Sequence, residues 1–188
     1  MKTKQRYTID KIIISERNIK KIEYHCIRKL RKMYEDGETK EQQAFGVIIG
    51  KQCRNVLQIT QVIPLKVNYR YNNLMSEKMN NLIEKYAIPG GLNIEERAWV
   101  SDPIEIAGIL NKIDSNEKFI GTYHMHHDKS WKGDYPKQIP TKLDAILAEK
   151  SGMYNLIVYI NLENNENSVR AFYESKVEKE VEIYKYCK

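Results

Sequence analysis

Cysteine, long apolar runs and histidine are all scarce in this sequence. Its three cysteines, Cys26, Cys53 and Cys187, are odd in number and form no CxxC pair. The sequence therefore predicts neither a disulfide framework nor a cysteine zinc site, and it favours reduced thiols. No apolar run approaches the ~20 residues of a membrane-spanning helix. No apolar segment follows the basic start at residues 1–6, so a cytoplasmic protein without membrane contact is expected.

A strong excess of one charge is also missing. The 31 basic and 25 acidic residues leave a net charge of +6, and the basic residues are spread along the whole chain. This pattern does not favour nucleic-acid binding. With 188 residues, 41% of them hydrophobic and 30% charged, the composition is typical of one globular domain. No repeat, low-complexity tract or linker divides residues 1–188, so a single domain is expected.

Apolar periodicity predicts strands and helices interspersed along the chain. A first strand at residues 7–14 leads into a helix that Ser15 can cap. Hairpins are predicted over residues 44–63 and 153–173. A further strand is predicted at residues 119–125, and further helices at residues 74–86, 101–113 and 140–148. Residues 177–186 fit either a strand or a helix. Because strands and helices are interspersed and two hairpins occur, a mixed sheet is expected.

Three of the four histidines fall within residues 124–127. If residues 119–125 form a strand, alternation places His124 and His126 on one face and Met125 on the other. Two imidazoles on one face at the end of a strand can bind one cation. An isolated His-x-His pair also fits a polar strand end with solvated side chains, and the pair alone does not decide between the two interpretations.

A second motif supplies a carboxylate. Pro140 opens a helix in which Thr141 and Asp144, three residues apart, share one face. The preceding loop is long enough to fold this helix against the histidines. Two histidines and one carboxylate form a three-ligand zinc set that leaves a position for water, whose pKa zinc lowers from ~15.7 towards ~7. Thr141 and Asp144 also fit a plain helix start, as cap and first-turn acid, but that does not explain the histidines.

Together these motifs resemble the JAMM/MPN family (Mov34/PAD-1, JAB-type) of metal-dependent isopeptidases. The family carries a glutamate before a glycine-containing strand, then His-x-His, then Ser/Thr-x-x-Asp. The corresponding segments here are residues 41–50, 121–126 and 140–144, within a motif-bearing core at about 41–173. The resemblance implies one MPN/JAB-like domain of the α/β (α+β) class. Its curved mixed β-sheet would be flanked by helices and similar to that of cytidine deaminases.

The resemblance also implies a role for each motif residue. His124, His126 and Asp144 would hold Zn²⁺. Thr141 would donate its hydroxyl to the oxyanion, and a glutamate would carry a proton from water to the leaving amine. The implied enzyme is a zinc metallopeptidase, a hydrolase of amide or isopeptide bonds. Its substrate would be the C-terminal tail of a protein or peptide, ubiquitin-like or similar.

The chain departs from the family pattern in three places. Gln43 occupies the register of the usual glutamate, and a glutamine cannot carry a proton. Glu41 lies one strand period earlier, and we predict that it is the general base. The usual proline after His-x-His is His127, and the loop that follows is longer than in the family. Its His127, Asp128 and Asp134 are either alternative ligands or solvated loop residues.

Other functional classes stay open on the sequence alone. Many MPN domains lack metal and serve as assembly modules, and Gln43 favours a metal-binding MPN-like scaffold or pseudoenzyme as the alternative. A nucleobase deaminase is disfavoured because the H-x-E…P-C-x-x-C signature is absent. Trp99 and Trp131 are candidates for lining a substrate groove, and Trp99 fits a core position equally well.

Overall fold

Seven β-strands form a closed barrel in a computed structural model that describes residues 9–90, 93–94 and 97–187. The strands are β1 (Lys11–Ser15), β2 (Phe45–Cys53), β3 (Val56–Pro64), β4 (Lys118–His127), β5 (Tyr154–Asn161), β6 (Glu166–Tyr173) and β7 (Glu180–Tyr186). Their order around the barrel is β1-β3-β2-β4-β5-β6-β7. The β1–β3, β1–β7 and β4–β5 pairs are parallel, and the other four are antiparallel.

The described residues also form four α-helices, α1 (Glu16–Leu30), α2 (Asn73–Tyr86), α3 (Pro103–Leu110) and α4 (Lys142–Leu147). The predicted cap of α1 is confirmed, because the Ser15 hydroxyl accepts a hydrogen bond from the Asn18 backbone N–H at 3.3 Å. Asp102 caps α3 in the same way, with Pro103 in the first turn. Over the residues that the structure covers, every helix is too short or too polar to cross a membrane.

The predicted architecture is wrong. Sequence pattern and resemblance together implied a curved mixed sheet flanked by helices, MPN/JAB-like and cytidine-deaminase-like, whereas the strands close into a barrel with few helices. The closure depends on β1, which pairs with β3 on one side and with β7 on the other. Periodicity identifies a strand but carries no information about its distant partners. The segment at residues 177–186, left open as strand or helix, contains the strand that closes the barrel.

Several local predictions are confirmed, and others shift. The hairpins β2–β3 and β5–β6 and the strand β4 occur where the sequence predicted them. Helix α1 ends at Leu30, and Lys32 has a positive φ of 57° just beyond it. The basic start at residues 1–6 and the first two residues of the predicted strand at 7–14 lie outside the described residues.

The glycines of β2 allow close approaches rather than turns. A side chain on Gly46 would lie 2.2 Å from the ring of Tyr123, its cross-strand partner. At Gly50 it would lie 2.1 Å from the Gln58 carbonyl oxygen. The Gly-x-x-x-Gly spacing in residues 46–50 therefore has a packing explanation in this barrel.

Alternation along β4 decides which side chains face the site. Tyr123 and Met125 are buried in the main apolar core, where α1 packs against β1, β3 and β5. His124 and His126 lie on the opposite face, as predicted. Two smaller apolar clusters cover this side of the barrel, one around Trp99 and one that joins α2 to α4. The histidines therefore point into the space between the barrel wall and α2 and α4.

Candidate metal centre

The side chains of His124, His126 and Asp144 converge on one point, with their candidate ligand atoms all within 4.8 Å of one another. The two Nε2 atoms are 3.1 Å apart. His124 Nε2 lies 3.3 Å from Asp144 Oδ1, and His126 Nε2 lies 3.5 Å from Asp144 Oδ2. Zinc–ligand bonds of 2.0–2.1 Å in a tetrahedron place neighbouring ligand atoms about 3.3–3.4 Å apart. The donor set and its spacing therefore fit one zinc ion, and the ligand role of the three residues stays a prediction.

Strand β4 and its neighbours orient the two histidines. The ring of His124 stacks on Phe45 of β2, with centroids 6.1 Å apart, and Phe45 stacks in turn on Trp99. The His126 Nδ1 atom lies 2.9 Å from the Lys137 carbonyl oxygen. A carbonyl can only accept, so Nδ1 carries a proton, and Nε2 is the ring nitrogen that faces Asp144. His126 is thereby held in the tautomer that a metal requires.

The long loop after β4 supports His126. Trp131 is buried and packs edge to face on the His126 ring, with centroids 4.9 Å apart. The Trp131 indole N–H donates to the Tyr135 carbonyl, and the Tyr135 hydroxyl donates to the Pro140 carbonyl, both at 3.1 Å. The segment that departs most from the family pattern therefore forms one wall of the site. Trp131 and Trp99 both line the adjoining cavity.

The alternative ligands considered in this loop do not join the cluster. His127 is buried, and its Nδ1 accepts a hydrogen bond from the Lys129 backbone N–H at 3.2 Å. Burial is the main reason why the pKa of His127 is lowered to about 4, although Asp128 opposes the shift. Among the described residues, the cluster able to hold a metal contains neither His127, Asp128 nor Asp134.

Helix α4 holds Asp144 through a capping box. The Thr141 hydroxyl accepts from the Asp144 N–H at 3.2 Å and donates to Asp144 Oδ2 at 2.8 Å, and the Thr141 N–H donates to the same oxygen at 2.7 Å. Thr141 and Asp144 therefore form an ordinary helix start, and Asp144 also belongs to the cluster with the two histidines. Burial would raise the pKa of Asp144, but His124 and His126 hold it well below its usual range. Asp144 is thus a carboxylate at neutral pH.

The two candidates for the family glutamate lie in different surroundings. Gln43 lines the cavity beside the histidines, whereas Glu41 does not. The buried carboxylate of Glu41 accepts from Lys29 Nζ at 2.8 Å and from Thr39 Oγ1 at 3.0 Å. Residues 40–42 are a bend rather than a strand, so the expected alternation between Glu41 and Gln43 does not operate there. The general-base role of Glu41 stays a prediction.

The triad lies in the wall of a cavity of about 460 Å³. Most of the wall is apolar, from β2, α2, α4 and the Trp99 segment. Sequence reasoning missed Phe45, Asn155 and Arg97 among its lining residues. Asn155 accepts a hydrogen bond from the Thr122 hydroxyl at 2.6 Å across the parallel β4–β5 pair. Only the strand pairing brings these two residues together, so no local signal could have identified Asn155.

Comparisons with known proteins inform the fold alone. No family model matches the chain, and no curated protein matches it. Among solved structures, the chain is similar to the solution structure of protein DSY2949 from Desulfitobacterium hafniense, a structural genomics target. The TM-score is 0.60 and the sequence identity 16%, over 94% of each chain. This likeness assigns no activity and does not test the JAMM/MPN resemblance.

Proposed function

We propose that this protein is a zinc-dependent amide or isopeptide hydrolase with JAMM-type chemistry, acting on a protein or peptide C-terminal tail, ubiquitin-like or similar. The carrying observation is the convergence of His124, His126 and Asp144 within 4.8 Å in the wall of a cavity. Support comes from the motif residues and their geometry and not from an MPN/JAB fold, which the barrel contradicts. A cytoplasmic location belongs to the proposal, because all three cysteines are free thiols.

The residues of the site divide the chemistry among them. When bound, zinc supplies Lewis acidity that lowers the pKa of water towards ~7. Asp144 contributes a negative charge and both histidines contribute neutral imidazole donors. Thr141 Oγ1, 2.8 Å from Asp144 Oδ2, is close enough to turn towards the oxyanion of an attacked carbonyl. Hydrolysis adds one water to the amide carbon, breaks the C–N bond and leaves a proton on the departing amine.

Delivery of a proton to the leaving amine is the step for which the site has the fewest candidate side chains. Gln43, which lines the cavity, can accept and donate hydrogen bonds but cannot move a proton between them. Glu41 has one carboxylate oxygen, Oε2, without a hydrogen-bond partner among the described residues. For Glu41 to act as general base, its carboxylate must turn from Lys29 towards the cavity when substrate binds.

A metal-binding pseudoenzyme or scaffold is the second candidate. It is favoured by one observation, namely that Gln43 and not Glu41 lines the cavity. In that case the triad would hold zinc without turnover, since the described residues of the cavity wall offer no acid besides the metal ligand Asp144 to protonate the leaving amine.

A cleavage assay on zinc-loaded protein separates the two candidates. The substrates are a ubiquitin-like fusion and a peptide, and the variants are Glu41→Gln and Gln43→Glu. Glu38→Gln is the matched control, because Glu38 is an equally buried carboxylate that pairs with Arg28 of α1 at 2.7 Å. All rates are compared at equal folded fraction and zinc content.

The hydrolase proposal expects an active wild type whose activity falls by ~10²-fold or more in Glu41→Gln but not in Glu38→Gln. An inactive wild type that gains activity in Gln43→Glu would support the pseudoenzyme. An inactive wild type that Gln43→Glu does not rescue would remove the hydrolase proposal altogether.

A further inference from the structure

The cavity beside the triad combines an apolar wall with an excess of positive charge. Its charged lining residues in the described part of the chain are Lys78, Arg97 and Asp144. Asp144 already faces the two histidines at 3.3 and 3.5 Å. Its negative charge is therefore engaged at the metal centre, and a divalent cation there would add to the positive potential. Such a site attracts an anionic ligand.

Arg97 is the cation best suited to bind that anion. It is partly buried, and burial lowers its pKa. One guanidinium nitrogen donates to the Ile88 carbonyl, and no described carboxylate lies within ion-pair distance of it. A guanidinium has five N–H donors in a planar fork that matches a carboxylate. Donors are therefore left for a ligand.

Gly90 lies close both to the Arg97 guanidinium and to the loop after β4. A side chain on Gly90 would lie 3.4 Å from Arg97 Cζ and 2.8 Å from the Ser130 carbonyl oxygen. Ser130 directly precedes Trp131, which packs on His126. Arg97 thus lies near the same loop that supports the metal centre, and it lines the same cavity as the triad.

The remaining wall selects an apolar group. Methionine and leucine side chains from α2 and α4 supply one part of it, namely Met75, Met79, Leu82 and Leu147. Methionine adapts to different apolar shapes. The volume of about 460 Å³ falls within the range of ~300–1,000 Å³ that is typical of small-ligand cavities. An apolar side chain next to a carboxylate matches both parts of this surface.

We propose that the cavity binds the free carboxylate of an apolar amino acid whose nitrogen is acylated. Arg97 pairs with the carboxylate, and the methionine-rich wall takes the side chain. The ligand is then an N-acyl amino acid or the C-terminal residue of a peptide, which share this chemistry. A lysine linked by an isopeptide bond within a protein has no free carboxylate at that place.

Hydrolysis of such a ligand rests on the proposed function, whereas its binding does not. One water would be consumed, the amide C–N bond would break, and the products would be the acyl carboxylate and a free apolar amino acid. When the C–N bond breaks, Arg97 still holds the α-carboxylate of the amino acid, and the nitrogen of the amino acid takes up the proton.

Calorimetric titration with N-acetyl-L-leucine and its uncharged analogue N-acetyl-L-leucinamide tests the binding. Zinc-free protein is titrated first, because a carboxylate can also bind zinc directly. We expect the acid to bind at least tenfold more tightly than the amide, and Arg97→Gln to abolish this preference. Arg97→Lys keeps part of it, since lysine retains the charge but not the fork. Lys85→Gln, the control for an exposed α2 cation outside the cavity lining, should change it less than threefold.

Equal affinity for acid and amide, or an unchanged preference in folded Arg97→Gln, would overturn the inference. Zinc-loaded turnover of N-acetyl-L-leucine, of a peptide ending in leucine and of the same peptide with an amidated end then identifies the source of the ligand. A carboxylate preference without turnover of any amide supports the inference while removing the proposed hydrolase. Turnover of an isopeptide without any carboxylate preference would support the proposed hydrolase and overturn the carboxylate inference.

Discussion

Asp144 and Glu41 are both largely buried carboxylates, but the fold balances their charges in opposite ways. Asp144 faces the imidazoles of His124 and His126, which carry no permanent charge. Glu41 accepts from the ammonium group of Lys29 at 2.8 Å, and the Lys29 side chain is 0% exposed. A buried carboxylate with a permanent cation is already neutralised, whereas one with imidazole partners gains from a metal ion. The two regions thus differ in whether they leave room for a metal cation.

The largest expected effect is on metal binding, and it tests the Asp144 side of the comparison. Purified wild type should hold close to one zinc per chain, and the His124→Ala/His126→Ala double variant should hold none. Zinc at ~1,000 times its Kd should stabilise only the wild type, by about 4 kcal/mol, because it binds the folded state. Metal analysis and thermal unfolding measure both effects. Full zinc occupancy in the double variant would contradict the ligand assignment.

The second prediction concerns the buried Lys29–Glu41 ion pair and its contribution to the free energy of unfolding. Glu41→Gln should cost about 3–5 kcal/mol, because it leaves the Lys29 ammonium group buried without its partner. Replacing both members, as Lys29→Met with Glu41→Leu, should cost much less. Zinc-free Asp144→Asn should cost below about 2 kcal/mol, since its imidazole partners carry no permanent charge and asparagine can still accept a hydrogen bond from the Thr141 backbone N–H. Urea unfolding measures all three, and a Glu41→Gln variant as stable as wild type would refute the ion-pair explanation.

A pH series tests how His25 of the α1 region contributes to the free energy of unfolding. The pKa of His25 on α1 is lowered from 6.5 to about 4, first by burial and then by Arg28 and Lys29, with Glu38 opposing. Between these pH values the unfolded chain binds more protons, so stability is full above pH 6.5 and falls as the pH drops towards 4. The expected loss from His25 is roughly 3 kcal/mol.

The measurement is urea unfolding of zinc-free protein at pH 7.5 and 4.5. His25→Gln should remove most of the His25 contribution, because glutamine does not titrate and can still bond the Tyr123 hydroxyl, 2.9 Å from His25 Nδ1. An identical loss of stability in wild type and His25→Gln would show that other groups control the pH dependence.

The smallest effect concerns the loop that supports His126. Trp131→Ala should weaken zinc binding by about 10–100-fold, as is typical when support around a ligating histidine is lost. Trp131→Phe keeps an aromatic edge on His126 and should lose less. Competition with a chelator gives the affinity, and the Nδ1 signal of His126 in NMR reports its bond to the Lys137 carbonyl. Unchanged affinity and an unchanged signal in Trp131→Ala would show that the loop only covers the site.

The features that could be predicted from the sequence lie within single strands and helices. Strand alternation predicted that His124 and His126 face one way and Met125 the other, and helical spacing predicted that Thr141 and Asp144 share a face. The Ser15 cap follows from the same kind of local rule. These features depend on backbone geometry over a few residues, which residue type and spacing largely specify.

The remaining features depend on contacts between distant parts of the chain. Residues 11–15 pair with residues 182–186 to close the barrel, and that pairing joins the two ends of the described chain. Glu41 pairs with Lys29 of α1, and Arg97, which follows α2 in the chain, lines the cavity beside the triad. Each of these contacts joins residues that are separated along the chain. Their free energy depends on burial and on partners that no local pattern encodes, which is why the architecture and the surroundings of the predicted site could not be derived from the sequence.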